Sequence, residues 1–408
     1  MPLTLSFVRP ILYSCLAAAV SFTCINGSIN HVFAFDGRPT HAILTDLIID
    51  KYNEANPEHP FSGEEKKWVS EGSAEEDTAP RFINHFYDPI NGAGWSGDNT
   101  GIFSSSTVAA LARLFASSAK PVSSIDWLHN QALQSAYQYF GGNQTWEKGL
   151  HSFYAGEREE AFRTLGHALH LLEDLAVPEH ARDDTHINSL AFLMSGAGSP
   201  YEKYAGAWTN ESIKTTILNT GLNKTESIVS ADGIPPETQS PDDYFRALSG
   251  YANKYFYSEE TVSGSKYAAP NIIRDNGELA YGKDESGKEM PIANVEFAFK
   301  NGTLEKNYLL VSNQDFVPIF NAYASHIVPR IIAYGARVTE LFLKKGAEED
   351  AGNVFSGNVP KITSVLGFLL NPKDTIAGIA GSVGDSLHSL FGSIAGIIGI
   401  SNESNYGE

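Results

Sequence analysis

The sequence predicts an all-α fold, a single multi-helix domain with a loop or β-hairpin insertion and a Gly-rich C-terminal tail. Three observations predict this fold class. Apolar residues recur at the three- and four-residue spacing of buried helix faces. Gly and Pro interrupt these segments where helices usually end. Apolar residues make up 42% of the chain, which is enough for a substantial core.

The predicted helices span residues 40–53, 107–119, 124–140, 156–175, 242–257 and 321–345. The helix at 156–175 has the strongest pattern, because glutamates in its first turn suit the helix dipole and Pro178 follows its end. Between the last two helices, residues 266–311 are rich in Gly, Asn and short apolar runs, which indicates a loop or β-hairpin insertion. A change of composition near Gly346 separates a predicted domain, 35–345, from a Gly-, Ser- and Ile-rich tail, 346–408.

The N-terminal segment, residues 1–34, has the composition of an export signal. Its one charged residue is Arg9, and the apolar run at 11–25 is too short to span a membrane. The residues before Phe35 suit a signal peptidase, so we expect cleavage there and a secreted or periplasmic protein. Cys15 and Cys24 would leave with the signal, which is compatible with an oxidising compartment. An uncleaved membrane anchor is the alternative.

The formal net charge of −19 bears on the class of partner. General nucleic-acid-binding proteins present a basic surface, so no stable nucleic-acid partner is expected. Two cysteines exclude a disulfide scaffold and a Cys-rich zinc module. The acidity remains compatible with an enzyme that holds phosphate through metal ions.

Four of the 12 histidines lie between residues 167 and 186. His170 and Asp174 are four residues apart and share one helix face, and His180 follows the break at Pro178. Imidazole and carboxylate ligands without thiolate are typical of catalytic zinc, which keeps one position open for water. His167 lies three residues before His170, and we expect it to support the site or lie at the surface.

Two further segments of the sequence contain potential metal ligands. Residues 82–89, FINHFYDP, place His85 among aromatic residues, and three acidic residues stand at 75–77. Residues 35–41, FDGRPTH, begin at the expected new N-terminus. A free α-amino group at Phe35 is itself a possible metal ligand, and His41 lies six residues behind it.

The three segments 35–41, 75–89 and 165–180, in this order, resemble motifs of the zinc-dependent phospholipase C family of bacteria. The all-helical fold of that family is shared with single-strand-specific zinc nucleases. Residues 165–180, LGHALHLLEDLAVPEH, correspond to the family pattern LGxxxHxxxDxxxPxH. The motif FxxHFYDP is more similar to the phospholipase branch. The resemblance covers residues 35 to about 345.

The resemblance implies a centre of up to three Zn²⁺ ions. The first ion would be held by Asp77, His85, His170 and Asp174, and the second by Phe35, His41 and a bridging Asp174. The third would take His180 and a later His and Glu, which the family provides as HxxxE. This chain departs from that pattern, since Gly198 stands four residues before Glu202. His186 and Glu202 are the expected replacements. Asp77 is chosen by its distance from Gly72, and Glu76 remains open.

The implied reaction is hydrolysis of a phosphodiester by metal-activated water, with Asp77 as the catalytic residue that orients or deprotonates the water. A phospholipid substrate would release a phosphorylated head group. Phe82 matches an aromatic residue that helps to bind choline in the family, although two other members of that cage have no counterpart here. Phe82 is therefore a candidate substrate contact or a core residue.

Three functions stay open at this stage: a secreted phospholipase C-like hydrolase, a single-strand-specific zinc nuclease, and a catalytically impaired zinc-binding protein. The tail adds a possible contact with a membrane surface, because residues 386–402 carry no formal charge. It lacks a basic face for anionic lipid, so a flexible or self-packing tail is the alternative. The sequence gives no indication of the oligomeric state.

Overall fold

The computed structural model describes residues 38–78, 81–96, 121–138, 140–184, 199–220, 225–235, 238–262, 267, 270–310 and 317–348. The predicted signal, the predicted helix at 107–119, and residues 349–408 of the tail lie outside these ranges. Within them the chain forms twelve α-helices and one four-stranded antiparallel sheet.

The elements follow one another from Arg38 to Glu348. The helices are α1 (Arg38–Ala55), α2 (Gly63–Glu76), α3 (Ser124–His129), α4 (Gln131–Ala136), α5 (Trp146–Tyr154), α6 (Arg158–Asp174), α7 (Pro178–Ala181), α8 (Pro200–Ala205), α9 (Asn210–Thr220), α10 (Thr225–Ala231), α11 (Asp242–Tyr255) and α12 (Val317–Glu348). The strands are β1 (Arg274–Asp275), β2 (Leu279–Lys283), β3 (Glu289–Lys300) and β4 (Thr303–Leu309). A short 3₁₀ helix spans Arg81–Asn84.

Helices α2 and α6 cross with their backbones in close contact because each has a glycine at the crossing. A Cβ atom on Gly72 would lie 2.0 Å from the carbonyl oxygen of Arg163. A Cβ atom on Gly166 would lie 2.0 Å from the carbonyl oxygen of Val69. This crossing brings the C-terminal end of α2, where Asp77 stands, against the face of α6 that carries His170.

The helix expected at 124–140 is divided in two, α3 and α4. The break is at Asn130, whose backbone leaves the helical region (φ −87°, ψ 78°). Its side-chain oxygen accepts a hydrogen bond from the amide of Leu133 at 2.9 Å and so caps α4. The other predicted helices within the described residues are confirmed as α1, α6, α11 and α12, with ends shifted by a few residues.

The prediction of an all-α fold with a loop or β-hairpin insertion is confirmed in part, because helix predominates in the described residues but the insertion holds more strands than a hairpin. The insertion forms a sheet of order β1-β2-β3-β4, with every neighbouring pair antiparallel. The β3–β4 turn is built on Asn301 and Gly302, both at positive φ, which suits the tight turn of a hairpin. Ile292 and Ala293 of β3 are fully buried, so this end of the sheet joins the helical core.

Helix α12 runs 32 residues along the core and includes Pro329. It contacts α1 at Gly335, where a Cβ atom would lie 2.4 Å from Ile48, and its buried Phe342 meets Trp146 of α5 edge-on, with ring centroids 5.2 Å apart. The helix passes through Gly346, which packs on Phe153. Among the described residues, no helix combines the length and apolar character needed to cross a bilayer.

Candidate metal centre

Five elements present imidazoles and carboxylates to one buried point. Helix α6 supplies His170 and Asp174, α1 supplies His41, and the residue after α2 is Asp77. His85 follows the 3₁₀ turn, and α7 supplies His180. All six residues are at most 3% exposed. Burial of so many ionisable groups costs free energy unless each group is paired or binds a cation.

The first group of potential ligands consists of Asp77, His85, His170 and Asp174. Nε2 of His170 lies 3.4 Å from Oδ1 of Asp77 and 3.3 Å from Oδ2 of Asp174. Nδ1 of His85 lies 2.6 Å from the same Oδ2 of Asp174. The ligand atoms of Asp77, His85 and His170 all fall within 4.8 Å of one another. The structure therefore brings together the four residues that the first predicted site required.

The second group consists of His41, His170 and Asp174, again within 4.8 Å of one another. Nε2 of His41 lies 3.3 Å from Oδ1 of Asp174, so the two oxygens of Asp174 face different histidines. The rings of His41 and His170 are stacked, with centroids 3.8 Å apart. Phe35, the other residue expected here, lies outside the described residues.

The third predicted site is represented by His180 and Glu202. Nε2 of His180 lies 3.6 Å from Oε1 of Glu202, and Nδ1 lies 3.8 Å from Oδ2 of Asp174. The other oxygen of Glu202 accepts a hydrogen bond from the amide of Ser199 at 2.7 Å, which closes a capping box at α8. The ring of Phe86 stacks on His180 at 4.4 Å and holds its orientation. His186 lies outside the described residues.

The hydrogen bonding and the spacing of the side-chain atoms at the centre are those expected of ligands around a cation. Both carboxylate oxygens of Asp77 and both ring nitrogens of His170 are buried and make no hydrogen bond within the described part of the chain. Two ligands on one tetrahedral zinc, at about 2.0–2.1 Å each, are separated by about 3.3–3.4 Å. Three of the imidazole–carboxylate distances match this separation. The His85–Asp174 pair is closer and must widen when an ion lies between the two residues.

Glu76 lies beside the centre, where its oxygens accept hydrogen bonds from several residues instead of being free to bind a metal. One of its oxygens accepts hydrogen bonds from Arg81 and from His167, and the other accepts one from Trp127 at 2.7 Å. Nε2 of His85 lies 3.4 Å from Glu76. The carboxylate is buried, yet the positive charge of Arg81 holds its pKa well below the usual range. Glu76 therefore positions His85, while the neighbouring Asp77 faces His170.

Glu173 performs the corresponding role for His41, and sequence reasoning missed it. Nδ1 of His41 donates to Oε2 of Glu173 at 2.6 Å, and Thr45 donates to the other oxygen at 2.8 Å. Burial lowers the pKa of the His41 imidazole, but the bonds to Asp174 and Glu173 outweigh it and raise the pKa to about 9. The motif contained two adjacent acidic residues, and nothing in the sequence indicated which of them would face His41.

Two residues singled out by sequence take less central positions. Phe82 lies on the 3₁₀ turn and is half-buried, three residues before His85. His167 is buried on Glu76, in agreement with a supporting role rather than that of a ligand. Asp88 of the FYDP motif binds the amide of Ile90 and the hydroxyl of Tyr267, so it stabilises the turn after His85.

Comparison with known proteins adds little to this geometry. No protein-family model matches the chain, and no curated protein matches it. Among solved structures with a match, the alpha toxin from Clostridium absonum is 16% identical and covers 69% of this chain and 85% of its own, with a TM-score of 0.28. A TM-score this low supports no argument about fold or activity.

Proposed function

We propose that this protein is a secreted zinc-dependent phosphodiesterase of phospholipase C type, which hydrolyses the head-group phosphodiester of a phospholipid. The observation that carries the proposal is the position of Asp174. Its two oxygens are fully buried, and they face His41 on one side and His85 and His170 on the other. A carboxylate placed in this way is suited to bridge two metal ions.

The ligands follow from these contacts. Asp77, His85, His170 and Asp174 would hold one zinc, and Phe35, His41 and Asp174 a second. His180 and Glu202, with His186, would hold a third. Nitrogen and oxygen ligands without thiolate are the set that catalytic zinc uses.

Bound zinc would supply an activated water molecule and neutralise charge on the phosphoryl group. Side chains of the protein would accept a proton from the water molecule and orient the metal ligands. Asp77 can accept a proton from water at a carboxylate oxygen, because both oxygens are buried without a hydrogen bond inside the described ranges. Glu173 keeps a proton on Nδ1 of His41, which leaves Nε2 as the ligand atom.

The substrate class rests on charge and on Phe82. A net charge of −19 disfavours a polyanionic nucleic acid more than a single lipid head group. Phe82 is half-exposed beside His85, where an aromatic face could contact a choline ammonium group. Export through the signal at 1–34 and membrane contact through the tail at 346–408 belong to the same proposal.

The test uses the chain that begins at Phe35, obtained by secretion so that its α-amine is free. It is incubated with phosphatidylcholine vesicles, and released phosphocholine is quantified with zinc and with a chelator. We expect release that the chelator abolishes, that His170→Ala removes, and that the surface variant His59→Gln retains.

A parallel incubation with single-stranded DNA separates the alternatives. Cleavage of DNA without release of phosphocholine would replace the proposal with the nuclease function. A folded, zinc-loaded protein that cleaves neither substrate would indicate the impaired zinc-binding protein.

A further inference from the structure

A second cluster of imidazole and carboxylate side chains lies where the sheet packs on α12. Asp284 and Glu285 stand in the turn between β2 and β3, and His326 lies on α12. One potential ligand atom from each of the three residues falls within 4.8 Å of the others. The side chains of Asp284 and His326 are 8% and 19% exposed, so this pair is shielded without being closed to solvent. None of these residues contributes to the candidate metal centre.

The contacts of His326 fix which of its nitrogens faces the turn. Nδ1 lies 2.8 Å from the carbonyl oxygen of Ala322, which can only accept a hydrogen bond. Nδ1 therefore carries a proton and donates it, with the hydroxyl of Ser325 also 3.1 Å away. In the neutral ring Nε2 then has a free lone pair, and this atom points at Asp284.

The turn holds Asp284 in a matching orientation. Its Oδ1 accepts hydrogen bonds from the amide and hydroxyl of Ser286, at 2.9 and 2.7 Å, and from the amide of Lys288 at 2.9 Å. Its Oδ2 is left to face Nε2 of His326 at 3.3 Å. A direct imidazolium–carboxylate bond is shorter, at about 2.7–2.9 Å. A separation of about 3.3 Å is that of two ligands on one tetrahedral zinc.

Glu285 adds a second carboxylate as the third potential ligand, and the local charge stays negative. Its Oε1 accepts from Arg330 at 2.9 Å and its Oε2 from the hydroxyl of Tyr251 at 2.6 Å. Each carboxylate oxygen retains a second lone pair for a metal. Arg330 is also paired with Asp232 at 2.8 Å, so its single charge is shared among several carboxylates.

From this geometry we propose that Asp284, Glu285 and His326 bind a zinc ion, which ties the β2–β3 turn to α12. The ligand set is one imidazole nitrogen and two carboxylate oxygens, with solvent able to complete the coordination shell. The ion would act on the structure of the joint and not on the proposed reaction, so the inference stands independently of the proposed function.

His129 provides a contrast within the same chain. Its Nδ1 lies 2.6 Å from Glu147 and its Nε2 lies 2.9 Å from Asp242. Both distances are those of direct hydrogen bonds, which leave no room for an ion between the partners. In both places an imidazole Nε2 faces an aspartate, at 2.9 Å in His129 and at 3.3 Å in His326, and only the wider spacing suits a metal. His129→Gln is the matched control for His326→Gln.

The experiment measures zinc per chain after chelation, reloading with zinc and removal of excess, for wild type, His326→Gln, Asp284→Asn and His129→Gln. We expect each of the first two variants to bind one zinc fewer than wild type, and His129→Gln to bind the wild-type number. Hydrogen exchange gives a second readout. Zinc should slow exchange of the Ser286 and Lys288 amides in wild type and in His129→Gln, but not in His326→Gln.

Equal zinc content in wild type, His326→Gln and Asp284→Asn would overturn the proposal. Should His326→Gln fail to fold, Asp284→Asn decides the question, because an amide oxygen can still accept the hydrogen bonds that hold the turn. Zinc-independent exchange of the turn amides in folded wild type would also overturn it.

Discussion

His41 and Glu173 form a buried pair in which Nδ1 of the ring donates to the carboxylate at 2.6 Å. The opposite nitrogen of the same ring lies 3.3 Å from Asp174, the next residue along the chain. Two adjacent acids on α6 therefore contact the two ends of one imidazole. One acid selects the tautomer, and the other lies where a metal would bind. Histidine ligands usually require such a carboxylate or carbonyl partner.

Replacement of Glu173 should weaken the centre without removing a ligand. In Glu173→Gln the amide holds Nδ1 of His41 less strongly, so metal affinity or activity should fall by about 10- to 100-fold. The measurement is a competition titration of zinc with a chromogenic chelator. Glu159→Gln, a change at the exposed start of α6, is the control and should behave as wild type. Unchanged affinity in Glu173→Gln would show that Glu173 does not support His41.

Asp174→Asn should have a larger effect, because the change removes a charge that faces His41 through one oxygen and His85 and His170 through the other. We expect loss of at least one zinc per chain, and a fall in activity greater than the roughly 100-fold that marks loss of a supporting residue. Elemental analysis of the purified variant measures the zinc. Asp46→Asn is the control, since Asp46 binds Ser70 at the surface. Wild-type zinc content in Asp174→Asn would contradict the bridging role.

Two substitutions at Glu202 separate its helix cap from its contact with His180. Glu202→Gln can keep the capping box at Ser199 but loses the charge that faces His180. Glu202→Ala loses both the capping box and the charge. Its free energy of unfolding should be about 0.5–2 kcal/mol lower than that of Glu202→Gln. Both should lose zinc from the third site to the same extent. If only the alanine variant lost zinc, the cap rather than the charge would be the important contact.

A Gly→Ala change at the crossing of α2 and α6 and one away from it should have opposite effects on stability. Gly72→Ala should destabilise the fold by several kcal/mol, because its Cβ would overlap the backbone of α6 at 2.0 Å. Gly250→Ala, inside α11 with nothing within 4 Å, should stabilise it by about 0.5–1 kcal/mol. Urea unfolding measures both. Equal stabilities would mean that α2 and α6 do not meet as closely as the structure shows.

His129 should make stability depend on pH. Burial lowers the pKa of its imidazole, but bonds to Asp242 and Glu147 outweigh it and raise the pKa to about 9. A folded pKa above the unfolded value of 6.5 stabilises the protein fully below pH 6.5. This contribution should fade as pH rises from about 6.5 to 9. Since the imidazole is 32% exposed, we expect about 1 kcal/mol after solvent screening.

Thermal unfolding of wild type and His129→Gln across this pH range measures the effect. The difference between the two proteins should be largest near pH 6 and shrink towards pH 9. A difference that stays constant with pH would show that the ion pairs of His129 do not contribute through its charge.

The sequence by itself determined the local features of the protein. The 3.6-residue period and the helix-ending signals gave α1, α6, α11 and α12, because these features depend on residues close in the chain. The spacing of His170, Asp174 and His180 was enough to propose a metal site. Neither the four-stranded sheet nor the break at Asn130 was predicted, since each depends on pairing or capping that competes with the apolar pattern.

Only the tertiary structure decided which distant residues meet. Glu173 faces His41 across 132 residues, and Glu76 collects Arg81, Trp127 and His167 from three separate segments. In the sequence Glu76 was an alternative ligand to Asp77 and Glu173 carried no signal, and Asp284, Glu285 and His326 had no recognisable spacing. Their roles come from the α2–α6 crossing and from the packing of the sheet on α12. Packing of this kind is fixed by the whole core and not by any one segment of the chain.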